Sequence, residues 1–111
     1  MESSEIILQT YSIIKSALTE RFGNLGYILI EEKNSDTIYE SKFTIWSDNK
    51  DALRLTWDGS ENVFLIEVSK TFPVSASAKW LSISRTGFNP AYSSSEYIHS
   101  TARKVVGSFN Q

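Results

Sequence analysis

Leu53-Arg54-Leu55-Thr56-Trp57-Asp58-Gly59-Ser60-Glu61-Asn62-Val63-Phe64-Leu65-Ile66-Glu67-Val68 reads as two strands joined by turn residues. Each run alternates with period two and is rich in aromatic and aliphatic groups, while Asp58 to Glu61 carry the chemistry of a reversal. Folded about Ser60-Glu61, the pair sets Trp57 against Phe64, Leu55 against Ile66 and Leu53 against Val68, with Arg54 against Glu67 on the other face. A slip of one residue would exchange the faces, so apolar meeting apolar and charge meeting charge specify the register.

Working outward, similar runs occur at about residues 25 to 32, 37 to 47 and 79 to 86. They are separated by Lys33-Asn34-Ser35-Asp36, Asp48-Asn49-Lys50-Asp51 and Phe72-Pro73-Val74-Ser75, each short enough for a hairpin. A turn about Pro73-Val74 sets Ile66 opposite Leu81 and Phe64 opposite Ile83. The alternative for this stretch is a short helix from Ser75 that takes Trp80 off the sheet.

A helix is expected before the strands and another after them. Residues 4 to 22 place Ile7, Tyr11, Ile14 and Leu18 on one stripe, flanked by Ile6, Ala17 and Phe22. Ser4 suits the N-cap, and Gly23 suits a left-handed position after the helix. Farther on, Ser93 and Glu96 have capping-box spacing ahead of the stripe Ile98, Ala102, Val105, Val106 and Phe109, with Tyr97 at its edge. The expected fold is α+β: a single-layer antiparallel meander of four or five strands with both helices on one face, in the order α-β-β-β-β-β-α, forming one domain over residues 1 to 111.

The chain has 111 residues, a formal charge of −2, no cysteine and one histidine. Disulfides, thiolate catalysis and cysteine-ligated metals are therefore excluded. The weak acidity removes the usual electrostatic attraction to nucleic acid or anionic lipid. Neither a secretory leader nor a membrane span is read in the chain, and a cytoplasmic setting is expected.

Chemical motifs are scarce. His99, with Glu96 and Arg103 on the same helix, has the residue types of an oriented base, although helical spacing alone accounts for the trio. Asp48, Asn49 and Asp51 offer oxygen ligands but fit a turn better than a calcium loop. Arg85-Thr86-Gly87 followed by the Ser93 to Ser95 helix start suggests an anion site, yet capping explains the serines. The sequence assigns no catalytic residue, metal or cofactor. Arg54 and Glu67 read as an exposed cross-strand pair contributing at most about 1 kcal/mol.

The outward sheet face is more informative. Parity places Arg54, Thr56, Asp58, Val63, Leu65, Glu67, Trp80, Ser82 and Ser84 there, together with Ile38, Lys42, Thr44 and Trp46. The leading expectation is a non-catalytic interaction module, with Trp46 and Trp80 as anchors beside Leu65, and Lys42, Arg54 and Glu67 as specificity groups. Its partner is a second copy or another protein, including a toxin masked by a small acidic inhibitor. The alternative is a small-ligand carrier or enzyme, with Tyr11, Tyr27, Tyr39, Trp57 and Tyr97 lining a pocket between sheet and helices. Single-stranded nucleic acid on exposed rings is disfavoured by Asp58 and Glu67 on the same face.

Overall fold

The computed structural model describes residues 3–33, 41–70, 79–92 and 94–109, with the side chains of Ser3 and Ser4 outside that set. Helix α1 spans Ser3–Gly23, followed by β1 (Ile28–Lys33), β2 (Lys42–Ser47), β3 (Ala52–Asp58), β4 (Val63–Ser69) and β5 (Leu81–Gly87), and α2 spans Ser95–Ser108. The strands form one antiparallel sheet in the order β1-β2-β3-β4-β5. This is the expected α+β meander with a helix at either end. Ser4, expected to cap α1, lies inside the helix, which begins at Ser3. Of the helical alternative for residues 75 to 81, residues 75–78 lie outside what is described, while 79 and 80 are not helical and Leu81 opens β5.

Both helices cover the same sheet face because their apolar stripes meet its inward side chains. The shared core contains Ile7, Tyr11, Ile14, Leu18 and Phe22 of α1, Ile98, Ala102 and Val105 of α2, and Trp46, Leu53, Leu55, Trp57, Phe64 and Ile66 of the sheet. Phe22 packs edge-on against Trp46 at 5.0 Å and against Phe109 at 4.6 Å, so the ends of the two helices meet at one end of the sheet. There Arg21 donates from Nη1 to the carbonyl of Val106, satisfying an acceptor in the last turn of α2.

The helix ends differ from expectation by small shifts. Gly23 is the last residue of α1, and the left-handed backbone falls at Gly26, with φ +91°. The Tyr27 amide closes back on the Phe22 carbonyl across this turn at 2.9 Å. At α2 the cap is Ser94, whose hydroxyl accepts from the Tyr97 amide at 3.1 Å. The cap thus falls one residue after the expected Ser93, and Tyr97 rather than Glu96 takes the third helical position, so the expected capping box is not formed.

The β3–β4 register is the expected one throughout, including Trp57↔Phe64 and Arg54↔Glu67. The β4–β5 register is not. Val68 pairs with Leu81, and an irregularity between Ile66 and Glu67 then shifts the ladder so that Ile66 pairs with Ser84 and Phe64 with Thr86. Ile83 is the additional residue, which is how a bulge accommodates two residues opposite one. Ser84 consequently turns inward, where its hydroxyl accepts from Ser108 of α2 at 2.8 Å, while Ser82 remains outward beside Glu67.

The expected facing of β2 is reversed. The four-residue loop of residues 48–51 pairs Ser47 with Ala52, and this carries Trp46 opposite Leu53, Thr44 opposite Leu55 and Lys42 opposite Trp57. Trp46, Thr44 and Lys42 therefore face the helices, and Phe43 and Ile45 face outward. Hydrophobic parity misleads here because α1 supplies polar partners for the inward groups. The Tyr11 hydroxyl lies 2.6 Å from Thr44 Oγ1, the Trp46 indole N–H donates to Thr19 Oγ1 at 3.2 Å, and Lys42 Nζ stands 4.4 Å over the Tyr11 ring.

Candidate interaction surfaces

The expected anchors do not assemble on one face. Trp46 is fully buried in the core and Lys42 is nearly so. Trp80, just before β5, is half-buried, and the Arg54 guanidinium stacks on its ring at 4.1 Å. Arg54 donates from Nε and Nη2 to the two Glu67 carboxylate oxygens at 2.9 and 3.0 Å, and Thr56 donates to Glu67 Oε1 at 2.9 Å. The side chains of Arg54 and Glu67 are only 22% and 13% exposed, so this is a shielded, bidentate pair rather than the exposed one expected. Leu65 is half-buried beside Thr56.

Nor is the outward face an open apolar platform. Ile45, Ala52 and Val63, which occupy it by register, are buried, as are Ser47 and Ser69. An anchor residue contributes through surface lost on binding, and these positions have little left to lose.

The residues expected to line a pocket separate similarly. Tyr11 and Trp57 are core groups, Tyr97 packs against the core with its ring stacked on Phe88, and Tyr39 lies outside the described residues. Burial pushes the Tyr11 phenol well above its ordinary pKa, the Thr44 hydrogen bond works in the opposite direction, and the Glu32 charge adds to the rise. Above about pH 10 the unfolded chain releases this proton while the native state retains it, so stability falls as pH rises through that range. Across about pH 9 to 11, the urea midpoint of Tyr11→Phe is expected to fall less steeply than that of the wild type.

Of the five, Tyr97 lines a small recess on α2 with Ser94, Glu96 and Ser100, and Tyr27 lines a larger cleft. Tyr27 shares a space of about 450 Å³ with Leu25, Asp51, Leu53, Val68, Lys70, Ile83 and Phe109, at the sheet end where the helices finish. Lys70 Nζ and Asp51 Oδ2 form an ion pair there at 3.0 Å. Burial raises the Tyr27 pKa, and Asp48 and Asp51 reinforce the rise against Lys70. The Asp48 carboxylate accepts from the Lys50 and Asp51 amides, both at 2.9 Å, so this oxygen-rich segment is built as a turn.

His99 is exposed on α2, and no hydrogen bond or ion pair joins it to Glu96 or Arg103. Arg85, expected near an anion site, pairs with Glu61. Among the described residues no group of three His, Asp or Glu side chains is placed to hold a metal ion, and no helix is long and apolar enough to cross a membrane.

The surface feature missed by sequence reasoning is the β1 edge. Every residue of β1 is exposed, and Ile28, Leu29 and Ile30 are 67%, 40% and 42% exposed. Leu25, in the turn that leads into β1, is exposed as well, so this stretch holds four of the eight exposed large apolar residues among those described. Its other edge meets no described strand. The signal was three consecutive aliphatic residues, a pattern that alternation between a buried and a solvated face does not explain.

No protein family model, curated protein or solved structure matches this chain.

Proposed function

We propose that this chain is a non-catalytic protein-interaction module that works through the edge of β1, with a second copy as the occupant. The carrying observation is the exposed Ile28-Leu29-Ile30 run on a terminal strand. Such an edge presents unpaired backbone groups, and strand addition satisfies them while removing aliphatic surface from water. Natural edges are commonly guarded by charge or by a bulge, and β1 concentrates both in its second half: Glu31, Glu32 and Lys33 follow an irregularity between Leu29 and Glu31. The apolar half remains available. Antiparallel pairing of two copies about Leu29 sets Ile28 against Ile30 and holds the acidic residues of the two chains apart.

Sedimentation of the wild type over a wide concentration range tests this reading. Reversible dimerisation is expected, and Ile28→Lys should weaken it by about tenfold or more because a buried, unpaired charge enters the interface. Since Ile28 is exposed in the single chain, the thermal midpoint of the variant monomer should remain near the wild-type value. A wild type that stays monomeric at all concentrations contradicts the reading.

The Tyr27 cleft supports a second reading, a carrier for a small apolar molecule with one polar end near Asp51 and Lys70. Its volume falls in the range of ligand sites and its walls are mostly aliphatic or aromatic. An environment-sensitive apolar dye is expected to gain fluorescence with the wild type and to lose that gain in Ile83→Trp, which fills the cleft. No gain with the wild type removes this reading.

A further inference from the structure

A second surface lies between the helices, and no strand residue lines it. Ile13, Ala17 and Arg21 of α1 and His99, Ala102, Arg103, Val106 and Gly107 of α2 enclose a groove of about 350 Å³. Because Ala17, Ala102 and Gly107 are small, the helices leave an apolar trough floored with help from Ile13 and Val106. From Ile13 to Arg21 it runs for about two helical turns, or roughly 12 Å.

Its charge is one-sided. Arg21 stands on one rim and Arg103, four residues after His99, on the other, while no acidic residue lines the groove although the chain as a whole is acidic. The Arg21 guanidinium is held at the groove's end by its bond to the Val106 carbonyl. We infer that the α1–α2 groove receives an amphipathic helix from a partner protein, with an apolar ridge flanked by Asp or Glu.

Three alternatives are separated by the arrangement itself. A second copy packing groove to groove would bring the same cations together, and nothing in the lining neutralises them. A single-headed anionic amphiphile meets one charged group, whereas here an arginine stands on each rim. An apolar ridge with acidic flanks one turn apart matches both the trough and the spacing of His99 and Arg103. This surface is separate from the β1 edge, so either can fail without the other.

The test uses the full chain, labelled with ¹⁵N, and three synthetic peptides of about four helical turns. One has leucines on a single helical stripe flanked by glutamates, the second has the same composition with the stripe scrambled, and the third has lysines in place of the glutamates. The first is expected to shift amides of Ile13, Ala17, Ala102 and Val106, with half-saturation below about 1 mM. Binding should weaken with added salt and fall about tenfold in Arg103→Glu, whose substituted side chain is exposed and outside the core. Equal binding of the lysine peptide or the scrambled peptide overturns the inference. So does decanoate shifting these amides where the acidic peptide does not, which assigns the groove to a small amphiphile.

Discussion

Trp57→Ala is expected to remove about 3 to 5 kcal/mol of folding stability, the usual cost of truncating a large ring that neighbours cannot collapse to replace. Trp57 is wholly buried and stands 4.8 Å from Phe64 and 6.2 Å from Phe88, at the junction of β3, β4 and the chain entering α2. Domains of this size are held by only about 5 to 15 kcal/mol, so the variant approaches the limit of folding at room temperature. Trp46→Ala should have a comparable effect, since it vacates the space beside Phe22 and leaves Thr19 without its indole partner. Trp80→Ala removes only a half-buried ring and a cation–π contact, and should cost about 1 kcal/mol or less. Urea denaturation of the three variants distinguishes core from surface: similar losses for Trp46→Ala and Trp80→Ala would contradict the inward facing of β2.

Glu67→Ala is expected to destabilise the fold by about 2 to 3 kcal/mol, more than an exposed ion pair could lose. Its carboxylate accepts two bonds from Arg54 and one from Thr56. Truncation leaves a largely shielded guanidinium without its counter-ion, and breaking such a pair from one side costs more than the pair is worth. Pairing the change with Arg54→Met, which retains much of the aliphatic stem, should recover a large part of the loss. A double variant as unstable as the sum of the two single ones would show that Arg54 and Glu67 are not coupled.

These contrasts mark where the fold was legible. The β3–β4 hairpin could be read because Leu53, Leu55, Trp57, Phe64, Ile66 and Val68 pair along one face and the Arg54–Glu67 ion pair marks the other. In β2 the same rule fails: Lys42 and Thr44 alternate with Phe43 and Ile45, yet the polar pair is inward because Tyr11 receives both. The loop of residues 48–51 contained the correction, since pairing Ser47 with Ala52 places Trp46 opposite Leu53. The bulge at Ile83 has no comparable mark, because serine and isoleucine are compatible with either register there.

The candidate surfaces were less legible for a related reason. A search for aromatic anchors selects large rings, and in this chain Trp46 and Trp57 fill the core. The accessible apolar area comes instead from aliphatic residues on the first strand of the meander, an edge that the expected strand order implied but that a search for rings passes over. The helix groove is still farther from the sequence: it requires the packing of α1 against α2 to bring Ala17, Ala102 and the flanking arginines together.

Amide hydrogen exchange across β1, followed as protein concentration is raised, tests most directly whether this edge is the contact surface. The account predicts that amides within Ile28–Lys33 that do not bond to β2 gain protection with concentration, in step with dimerisation, and lose that gain in Ile28→Lys. Exchange at these amides that stays independent of concentration while the chain associates would place the contact elsewhere.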